Sequence, residues 1–256
     1  MKSFEDIAKL LQTLKLNGMM KHLDELITDA ERNHQSYIQF LNKLFQAEIN
    51  ERIQKRLERN MTGAHFPNMK KIDSFHFGKV KGISKSEAVN IIDCRWIDKK
   101  ENLLFFGPPG TGKTHLSIAF GINAIEKGYT VCFERVTNLF RLLKTSEIQK
   151  TSEYRIRIIL KSNLVIIDEI GYAPIDKREA NLFFNLLSEL YEKSSVIVTS
   201  NKSFENWAEM MGDEIMTTAL LDRLLHHAHI FNLSGQSYRL NQIFKKKGEN
   251  DLNDEK

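Results

Sequence analysis

The sequence has few cysteines and no long hydrophobic run. Only Cys94 and Cys132 are cysteines, and neither has a second cysteine at the C-x-x-C spacing of a metal or redox site. The histidines are not placed at zinc-binding spacing, since His226, His227 and His229 have no cysteine or H-E-x-x-H partner. No apolar segment approaches the ~20 residues of a membrane span, and the N-terminus has no apolar signal core. We therefore expect two core thiols, no metal cage, no membrane partner and a cytoplasmic location.

The composition is that of a globular protein with a small excess of positive charge. Of the 256 residues, 41% are hydrophobic and 27% are charged, and the formal net charge is +4. A chain of this length can bury most of its unfolded surface, in one large domain or in one domain with a small appendage. The weak basicity permits an anionic partner without requiring one.

The N-terminal segment, residues 1–66, predicts helices only. Its apolar residues recur at helical spacing with an interruption at Gly18, and Ser36 is placed to cap a third helix. Between residues 48 and 59 basic side chains alternate with glutamates, so i,i+4 pairing accounts for much of this charge. A solvated helix face and a surface for a nucleic-acid or protein partner both remain open.

The rest of the chain divides into three parts. Residues 67–98 read as a linker rich in glycine and lysine, followed by a helix predicted over about 86–98. Residues 99–244 alternate strands and helices, which is typical of a parallel sheet covered on both faces. The tail, residues 245–256, is polar and charged and is predicted to be disordered. The candidate strands are Asn102–Phe106, Thr130–Glu134, Leu164–Asp168, Ser195–Thr199 and His229–Leu233.

The most informative motif follows the first of these strands and has the pattern G-x-x-x-x-G-K-T. Glycines let backbone N–H groups converge on a phosphate, and the N-terminus of the following helix adds partial positive charge. In this pattern the lysine reaches the β- and γ-phosphates, and the threonine hydroxyl binds Mg²⁺. An ordinary glycine-rich turn is disfavoured by the upstream strand and by the apolar helix pattern downstream. The motif consists of Gly107, Pro108, Pro109, Gly110, Thr111, Gly112, Lys113 and Thr114.

A second motif is an apolar strand that ends in two carboxylates, Asp168 and Glu169. Such residues lie at the carboxyl edge of a parallel sheet, where ligands of α/β proteins bind. Asp168 is predicted to hold Mg²⁺ opposite the hydroxyl of Thr114, and Glu169 to orient and deprotonate an attacking water. The phosphate motif upstream disfavours the alternative, a surface turn with no ligand.

Two further residues have roles that the sequence leaves open. Asn201 follows the strand Ser195–Thr199, and it faces the γ-phosphate if that strand inserts between the other two strands of the site. Otherwise Asn201 caps the helix predicted over Lys202–Met210 or shapes a turn. Arg223 is either an arginine finger supplied to a neighbouring subunit or one half of a surface pair with Asp222.

Taken together, these residues resemble the AAA+ ATPase superfamily, and within it the IstB-like transposition helper ATPases, which are related to the DnaC helicase loader. The resemblance covers nearly the whole chain. Its most specific parts are the stretches Asp-Arg-Leu-Leu-His-His-Ala at 222–228 and Ser-Tyr-Arg-Leu at 237–240. It implies Walker A at Gly107–Thr114, Walker B at Asp168 and Glu169, sensor 1 at Asn201, an arginine finger at Arg223 and a second sensing arginine at Arg239.

The resemblance also implies an α/β fold, with a five-stranded parallel sheet flanked by helices and an all-helical N-terminal domain that contacts a partner. The implied cofactors are ATP and Mg²⁺, and the implied activity is ATP hydrolysis. The implied partners are duplex DNA, the transposase of the same mobile element and further copies of the chain, which assemble when ATP is bound.

Initiator-type relatives carry an extra helix after the second strand, and residues 136–162 leave room for one. The basic residues around this segment leave two interpretations open. They form either a DNA track that contacts phosphates rather than bases or a solvated helical pair. These residues are Arg135, Arg141, Lys144, Lys150, Arg155, Arg157 and Lys161.

Three other functions compete with a transposition ATPase. A replicative helicase loader has the same ATPase core and a different partner. A small-molecule P-loop kinase requires an acceptor pocket, whereas Asp168, Glu169 and Asn201 favour water as the nucleophile. A binding-only switch would hold ATP without hydrolysing it, and the presence of Glu169 argues against that.

Overall fold

The computed structural model describes residues 4–171, 175–235 and 237–238. The chain separates into two compact units that divide between Arg59 and Asn60. The sequence placed the end of the helical segment at residue 66. The third helix continues past the division to Ala64, so helical periodicity alone does not mark where the first unit ends.

The first unit is helical throughout its described part. Its elements are α1 (Phe4–Thr13), α2 (Asn17–Arg32) and the greater part of α3 (Tyr37–Ala64). Leu11, Met19 and Leu23 pack with Leu44 of α3 to form its core. The backbone N–H of Ser36 donates to the side chain of Gln39 at 2.9 Å, and the N–H of Gln39 donates back to the Ser36 hydroxyl at 3.3 Å. The predicted cap of the third helix is therefore confirmed.

Gly18 does not interrupt a helix, contrary to the sequence-based prediction. The chain turns at Lys15, which has a φ of 58°, and Gly18 lies inside the first turn of α2. A Cβ atom at Gly18 would lie 2.6 Å from the carbonyl oxygen of Ala47. The carboxylate of Glu48 accepts the N–H groups of Gly18 and Met19 at 2.7 and 3.2 Å. Glycine is needed here because α2 begins directly against α3, where Glu48 satisfies the free donors of the helix N-terminus.

The second unit begins with a segment of short elements. It contains 3₁₀ turns at Ile72–Ser74 and Phe77–Lys79, β1 (Val80–Lys81), α4 (Lys85–Ile92) and α5 (Arg95–Asp98). The single helix predicted over 86–98 is wrong, because Cys94 has a φ of 63° and separates α4 from α5. The strand β1 pairs antiparallel with β7 (Ser234–Gly235).

A five-stranded parallel sheet forms the centre of the second unit. Its strands are β2 (Asn102–Phe106), β3 (Val131–Arg135), β4 (Leu164–Ile170), β5 (Ser195–Ser200) and β6 (Ala228–Asn232). The spatial order is β3-β4-β5-β2-β6, and all the predicted strands are confirmed within a few residues. The insertion of β5 between β2 and β4 is also confirmed, which brings the ends of these three strands together.

Helices flank the sheet. They are α6 (Lys113–Glu126), α7 (Val136–Thr145), α8 (Lys150–Lys161), α9 (Lys177–Leu190), α10 (Glu205–Met211) and α11 (Glu214–Leu225). Phe105 of β2 stacks on Phe120 of α6, whereas its neighbour Phe106 packs against Trp207 of α10. Alternate residues of β2 are therefore buried against different helices, as expected for a strand covered on both faces. None of the helices in the described ranges combines the length and apolarity needed to cross a bilayer.

The two cysteines are buried free thiols, as predicted. Burial raises the pKa of Cys94 to about 11 and that of Cys132 to about 12. Since the thiolate is the reactive form, both side chains serve as small core residues.

Candidate nucleotide-binding site

The phosphate loop lies between β2 and α6, as the sequence predicted. The loop follows the last residue of β2, Phe106, and α6 begins at Lys113. Gly112 has a φ of +92°, and a Cβ atom there would lie 2.5 Å from the ring of Phe75. Only glycine meets both conditions without strain. The first turn of α6 therefore opens towards the loop, where the partial positive charge of the helix N-terminus would meet a bound anion.

Lys113 places its ammonium group inside this loop. The side chain is largely buried, and its Nζ donates to the carbonyl oxygens of Gly107 and Pro108 at 2.6 and 2.8 Å. The positive charge is thus held at the point on which the loop converges. A phosphate bound in the loop would meet both this cation and the helix N-terminus.

Asp168 is fully buried at the carboxyl end of β4 and accepts two hydroxyl hydrogen bonds. The hydroxyl of Thr114 donates to its Oδ1 and Oδ2 at 2.8 and 3.1 Å. The hydroxyl of Thr199 donates to Oδ1 at 2.6 Å. Burial raises the pKa of Asp168, whereas the two hydroxyl groups act in the opposite direction.

The donor set of Asp168 and Thr114 fits a magnesium ion. Both side chains offer oxygen atoms, which Mg²⁺ prefers, and they lie within hydrogen-bonding distance of each other. A divalent cation beside Asp168 would also compensate the negative charge of its buried carboxylate. The two predicted metal ligands are therefore brought together by the fold.

Glu169 has an unusual backbone conformation next to the site. Its φ is +69°, and the pairing of β4 with β5 is irregular between Ile167 and Ile170. The N–H of Glu169 donates to the hydroxyl of Thr199 at 2.9 Å, and its carboxylate lies 3.7 Å from Nε of Arg135. Bulges of this kind redirect side chains beside active sites. Here Glu169 lines the same pocket as Lys113.

Thr199 is a site residue that the sequence analysis missed. Its hydroxyl links Asp168 to the backbone of Glu169 and so connects both carboxylate positions. The sequence did offer one signal for Thr199, its position near the end of a buried strand. From the sequence, a role at that strand end was assigned to Asn201 only. The sequence could not decide which polar residue at the end of β5 faces Asp168, because the strand end departs from regular pairing.

Asn201 does not cap the following helix, since α10 begins at Glu205 and its N-cap residue is Phe204. It lies just after β5, beside Gly171, where a Cβ atom would come within 3.0 Å of Asn201 Oδ1. This Oδ1 atom is buried and has no hydrogen-bond partner among the described residues. A buried acceptor without a partner is uncommon in native proteins. Asn201 Oδ1 could therefore accept a hydrogen bond from a bound water or ligand.

A cavity of about 520 Å³ opens beside the phosphate loop. This volume is within the range of small-molecule sites. One wall comes from the segment that was interpreted as a linker, whose glycine-rich composition gave no sign of this role. The wall residues are Pro67, Asn68, Lys70, Ser74, Phe75, His76, Lys79 and Val80.

His115 joins this wall to α6. Its Nε2 lies 3.0 Å from the carbonyl oxygen of Lys71, and its ring packs at 5.4 Å against the ring of Phe75. Burial lowers the pKa of His115, so the imidazole is mainly neutral at pH 7. Because a carbonyl only accepts, the Nε2 atom carries the proton of this hydrogen bond.

Tyr238, in the described part of the Ser-Tyr-Arg-Leu stretch, also reaches the phosphate loop. The N–H of Tyr238 donates to the carbonyl oxygen of Gly110 at 3.1 Å, and Tyr238 lines the cavity. Arg239, the predicted second sensing arginine, lies outside the described residues.

The structure does not bring Arg223 to this pocket. Arg223 lies on α11 beside Asn102 and Val196, which belong to the beginnings of β2 and β5. The phosphate loop is at the other ends of these strands, roughly 17 Å away for a five-residue strand. The guanidinium stacks over the ring of Phe184 at 4.6 Å and does not form an ion pair with Asp222 in the described part of the chain. Of the two alternatives that the sequence left open for Arg223, the surface pair with Asp222 is therefore wrong.

The basic segment 136–162 forms two helices, α7 and α8, but not all of its charges are available to DNA. Arg155 is buried and donates to Glu134 Oε1 at 2.6 Å and to the carbonyl oxygen of Gly63 at 2.8 Å. Its inclusion in a DNA track is wrong, because it serves as an internal anchor. Exposed basic side chains remain at Arg141, Lys150, Arg157 and Lys161.

Comparison with known proteins gives a consistent result. The family model described as IstB-like ATP binding protein matches residues 9–246. A Pseudomonas aeruginosa protein named for insertion sequence IS21 and for ATP binding is 37% identical over 237 residues, which cover 93% of this chain and 89% of that protein. A Bacillus thuringiensis subsp. berliner protein named in the same way for IS232 is 38% identical over 249 residues, covering 97% and 99%.

Among solved structures, the DnaC helicase loader has a TM-score of 0.52 with 20% identity, and the match covers 64% of this chain and 96% of that chain. This likeness concerns the fold. The family match covers most of the chain, including the phosphate loop, the buried Asp168 and the five-stranded sheet. The chain belongs to the family of IstB-like ATP binding proteins.

Proposed function

We propose that this protein hydrolyses ATP and regulates transposition by assembling on duplex DNA and acting with the transposase of the same mobile element. The observation that carries the proposal is the arrangement around Asp168. Its buried carboxylate is held by Thr114 and Thr199 beside a glycine loop that contains Lys113. This arrangement provides a cation, backbone donors and oxygen ligands for a nucleoside triphosphate and its metal.

In the proposed reaction, Lys113 and the N–H groups at the start of α6 bind the β- and γ-phosphates of ATP. Thr114 and Asp168 would hold Mg²⁺, which would supply positive charge to the phosphates. Glu169 accepts a proton from the attacking water, and Asn201 orients that water through its amide. The cavity wall at Phe75 and His115 receives the base.

We place Arg223 in trans. It lies near the beginnings of β2 and β5, whereas its own phosphate loop lies at the carboxyl ends of the strands. A nucleotide that Arg223 contacts would therefore be bound by a neighbouring copy. An arginine finger contributes about 10³–10⁵ in rate. Hydrolysis would remove the phosphate that Arg223 contacts and so weaken the contact between subunits.

DNA contact is proposed for the exposed basic residues of α7 and α8. Lys150, Arg157 and Lys161 are exposed cations on α8, suited to phosphate contacts that are largely independent of sequence. The exposed ring of Tyr154 lies between Lys150 and Arg157 on the same helix. Binding of this kind is strongly weakened by salt.

The partner is proposed to be a transposase because the related proteins are named for insertion sequences. A row of exposed apolar side chains on α3 supports contact with a protein through the first unit, since rows of this size mark interaction surfaces. The row consists of Ile38, Leu41, Phe45, Ile49 and Ile53. A helicase loader is the second candidate, favoured only by the fold likeness to the DnaC loader.

The deciding experiment measures duplex binding and phosphate release for the full-length protein with ATP and with ADP over a series of salt concentrations. We expect ATP to strengthen binding, and we expect phosphate release without an added acceptor, which a kinase would require. Lys113→Ala should abolish both effects, and Lys193→Ala, an exposed lysine distant from the loop, should change neither. ATP splitting and DNA assembly that survive Lys113→Ala would refute the proposal. Co-purification of either transposase or helicase with the protein then distinguishes the two partners.

A further inference from the structure

Arg223 rests on an aromatic ring that belongs to another helix. Its guanidinium carbon lies 4.6 Å from the ring centroid of Phe184, which is part of α9. One of its nitrogen atoms, Nη1, donates to the carbonyl oxygen of Ala219 in the preceding turn of α11 at 3.3 Å. Both side chains are partly exposed, so the arginine is held at the surface and is not buried in the core.

The two contacts leave most of the guanidinium free to bind an anion. Stacking on an aromatic ring uses the flat face of the group, whereas recognition of phosphate uses the N–H donors at its edge. Phe184 forms no hydrogen bond and therefore does not compete for these donors. Among the described residues, the bond to Ala219 occupies one donor. The other donors lie in the plane that the ring leaves open.

We propose that Phe184 is the positioning residue for Arg223, which it holds in the orientation needed to reach the nucleotide of a neighbouring copy. This inference rests on the proposed trans role of Arg223. A long arginine side chain has many rotamers, and fixing it before subunits meet reduces the ordering that assembly requires. Stacking on Phe184 should therefore raise kcat of the assembled protein. It should not change the affinity of a subunit's own phosphate loop for ATP.

The arrangement of the helices supports this assignment. The helices α9 and α11 pack through buried side chains that include Leu187, Leu220 and Leu224. Phe184 lies one turn before Leu187, and Arg223 lies directly beside Leu224. The ring and the guanidinium are thus carried by two helices that pack through other side chains, and Phe184 also packs against the same cluster.

The test compares Phe184→Leu, which removes the aromatic face, with Phe184→Tyr, which retains it. Each full-length variant is assayed with saturating duplex DNA for kcat and KM of ATP hydrolysis, for affinity towards a fluorescent ATP analogue and for melting temperature. Phe66→Leu is the matched control, because Phe66 is a partly buried phenylalanine of the same unit that contacts Phe133 and no functional arginine.

We expect Phe184→Leu to lower kcat about fivefold, as for loss of a partly desolvated cation–π contact. Affinity for the analogue should be unchanged, and Phe184→Tyr should stay within twofold of the parent protein. In the Arg223→Ala background, Phe184→Leu should have no further effect, because the ring acts only through the arginine.

The outcomes separate this inference from the function on which it rests. If Arg223→Ala leaves DNA-stimulated turnover unchanged, the trans role is wrong and the role of Phe184 is wrong with it. If Arg223→Ala abolishes turnover while Phe184→Leu matches the parent, only the role of Phe184 is overturned. Equal losses in the leucine and tyrosine variants, or additive losses with Arg223→Ala, would also overturn it, since either result indicates a general packing effect.

Discussion

The hydroxyl of Thr199 donates to Asp168 Oδ1 at 2.6 Å, whereas the hydroxyl of Thr114 lies 2.8 and 3.1 Å from the two oxygen atoms of this carboxylate. The same Thr199 oxygen accepts the N–H of Glu169 at 2.9 Å. One hydroxyl therefore fixes the proposed metal ligand and the backbone of the proposed base. Residues that orient a metal ligand in this way are important for activity, and their replacement typically costs about 10- to 100-fold.

Replacing this threonine should impair both catalysis and stability. Thr199→Val retains the shape of the side chain and removes the hydroxyl, so Asp168 loses a donor and the Glu169 N–H loses its acceptor. We expect turnover to fall about 10- to 100-fold and the free energy of unfolding to fall by about 1–3 kcal/mol. Steady-state hydrolysis and denaturant titration measure these effects.

Thr217→Val is the matched control for this change. Thr217 is also buried, and its hydroxyl donates to the carbonyl oxygen of Asp213 at 2.6 Å, away from the pocket. It should lose stability without a comparable loss of turnover, and Thr199→Ser should recover most of the activity. Normal hydrolysis by Thr199→Val would show that the bridge is dispensable.

Glu169→Gln should separate binding from hydrolysis. The amide keeps the size of the side chain and cannot accept the proton of the attacking water, so we expect kcat to fall about 10²- to 10⁴-fold. ATP affinity should be retained, and the ATP-bound assembly on DNA should persist, as seen by size-exclusion chromatography with light scattering. Glu189→Gln, an exposed change on α9, is the control, and undiminished turnover in Glu169→Gln would remove the assigned role.

Arg155 and Arg157 should respond oppositely although they lie two residues apart. Arg155→Met leaves the buried carboxylate of Glu134 without its cationic partner, with only the amide of Asn138 among the described residues to donate to it, so we expect a loss of about 3–5 kcal/mol in the free energy of unfolding. Arg157 is exposed and pairs with Glu153. Arg157→Met should therefore change stability by less than about 1 kcal/mol but reduce the slope of log affinity against log salt by about 1.

Chemical denaturation and duplex titrations at several salt concentrations distinguish these two roles. An unchanged salt slope in Arg157→Met would exclude this residue from the DNA surface. A stable Arg155→Met protein would show that the buried pair is not an anchor.

The first unit should lose stability in acid through Glu48. Burial tends to raise the pKa of Glu48, but hydrogen bonds from Arg52, Met19 and Gly18 together outweigh it and hold the pKa below its usual value. A lowered pKa in the folded state gives stability that is present above the ordinary value of about 4.3 and is lost as the pH falls through the folded value.

The comparison of parent and Glu48→Gln proteins tests this sign. The variant should be less stable at pH 7, and its stability should change less between pH 6 and pH 3, as followed by circular dichroism melting. Glu58→Gln on the exposed side of α3 should behave like the parent. Equal acid sensitivity of Glu48→Gln and the parent would place the titrating group elsewhere.

Much of the sheet and of the phosphate loop was predictable from local patterns. The buried strand Leu164–Ile167 and the motif Gly107–Thr114 are continuous in sequence, so composition and spacing describe them directly. The break at Cys94 was missed because a left-handed residue inside an otherwise helical pattern leaves no reliable local signal. The burial of Arg155 was missed because a charged residue on a helix looks the same whether its partner is water or a distant Glu134.

By itself the sequence determined the loop that converges on a phosphate, the two carboxylates at a strand end and the order of strands and helices, since these depend on neighbours along the chain. Only the tertiary structure decided that Thr199 bridges Asp168 and Glu169, that Phe75 and His115 close a wall of the cavity, and that Arg223 stacks on Phe184 at the far edge of the sheet. Those contacts join residues about 30 to 40 positions apart. The contact of Thr199 exists because β4 and β5 are parallel neighbours whose ends meet. The other two join α6 to the segment before β2, and α9 to α11, which no local pattern connects.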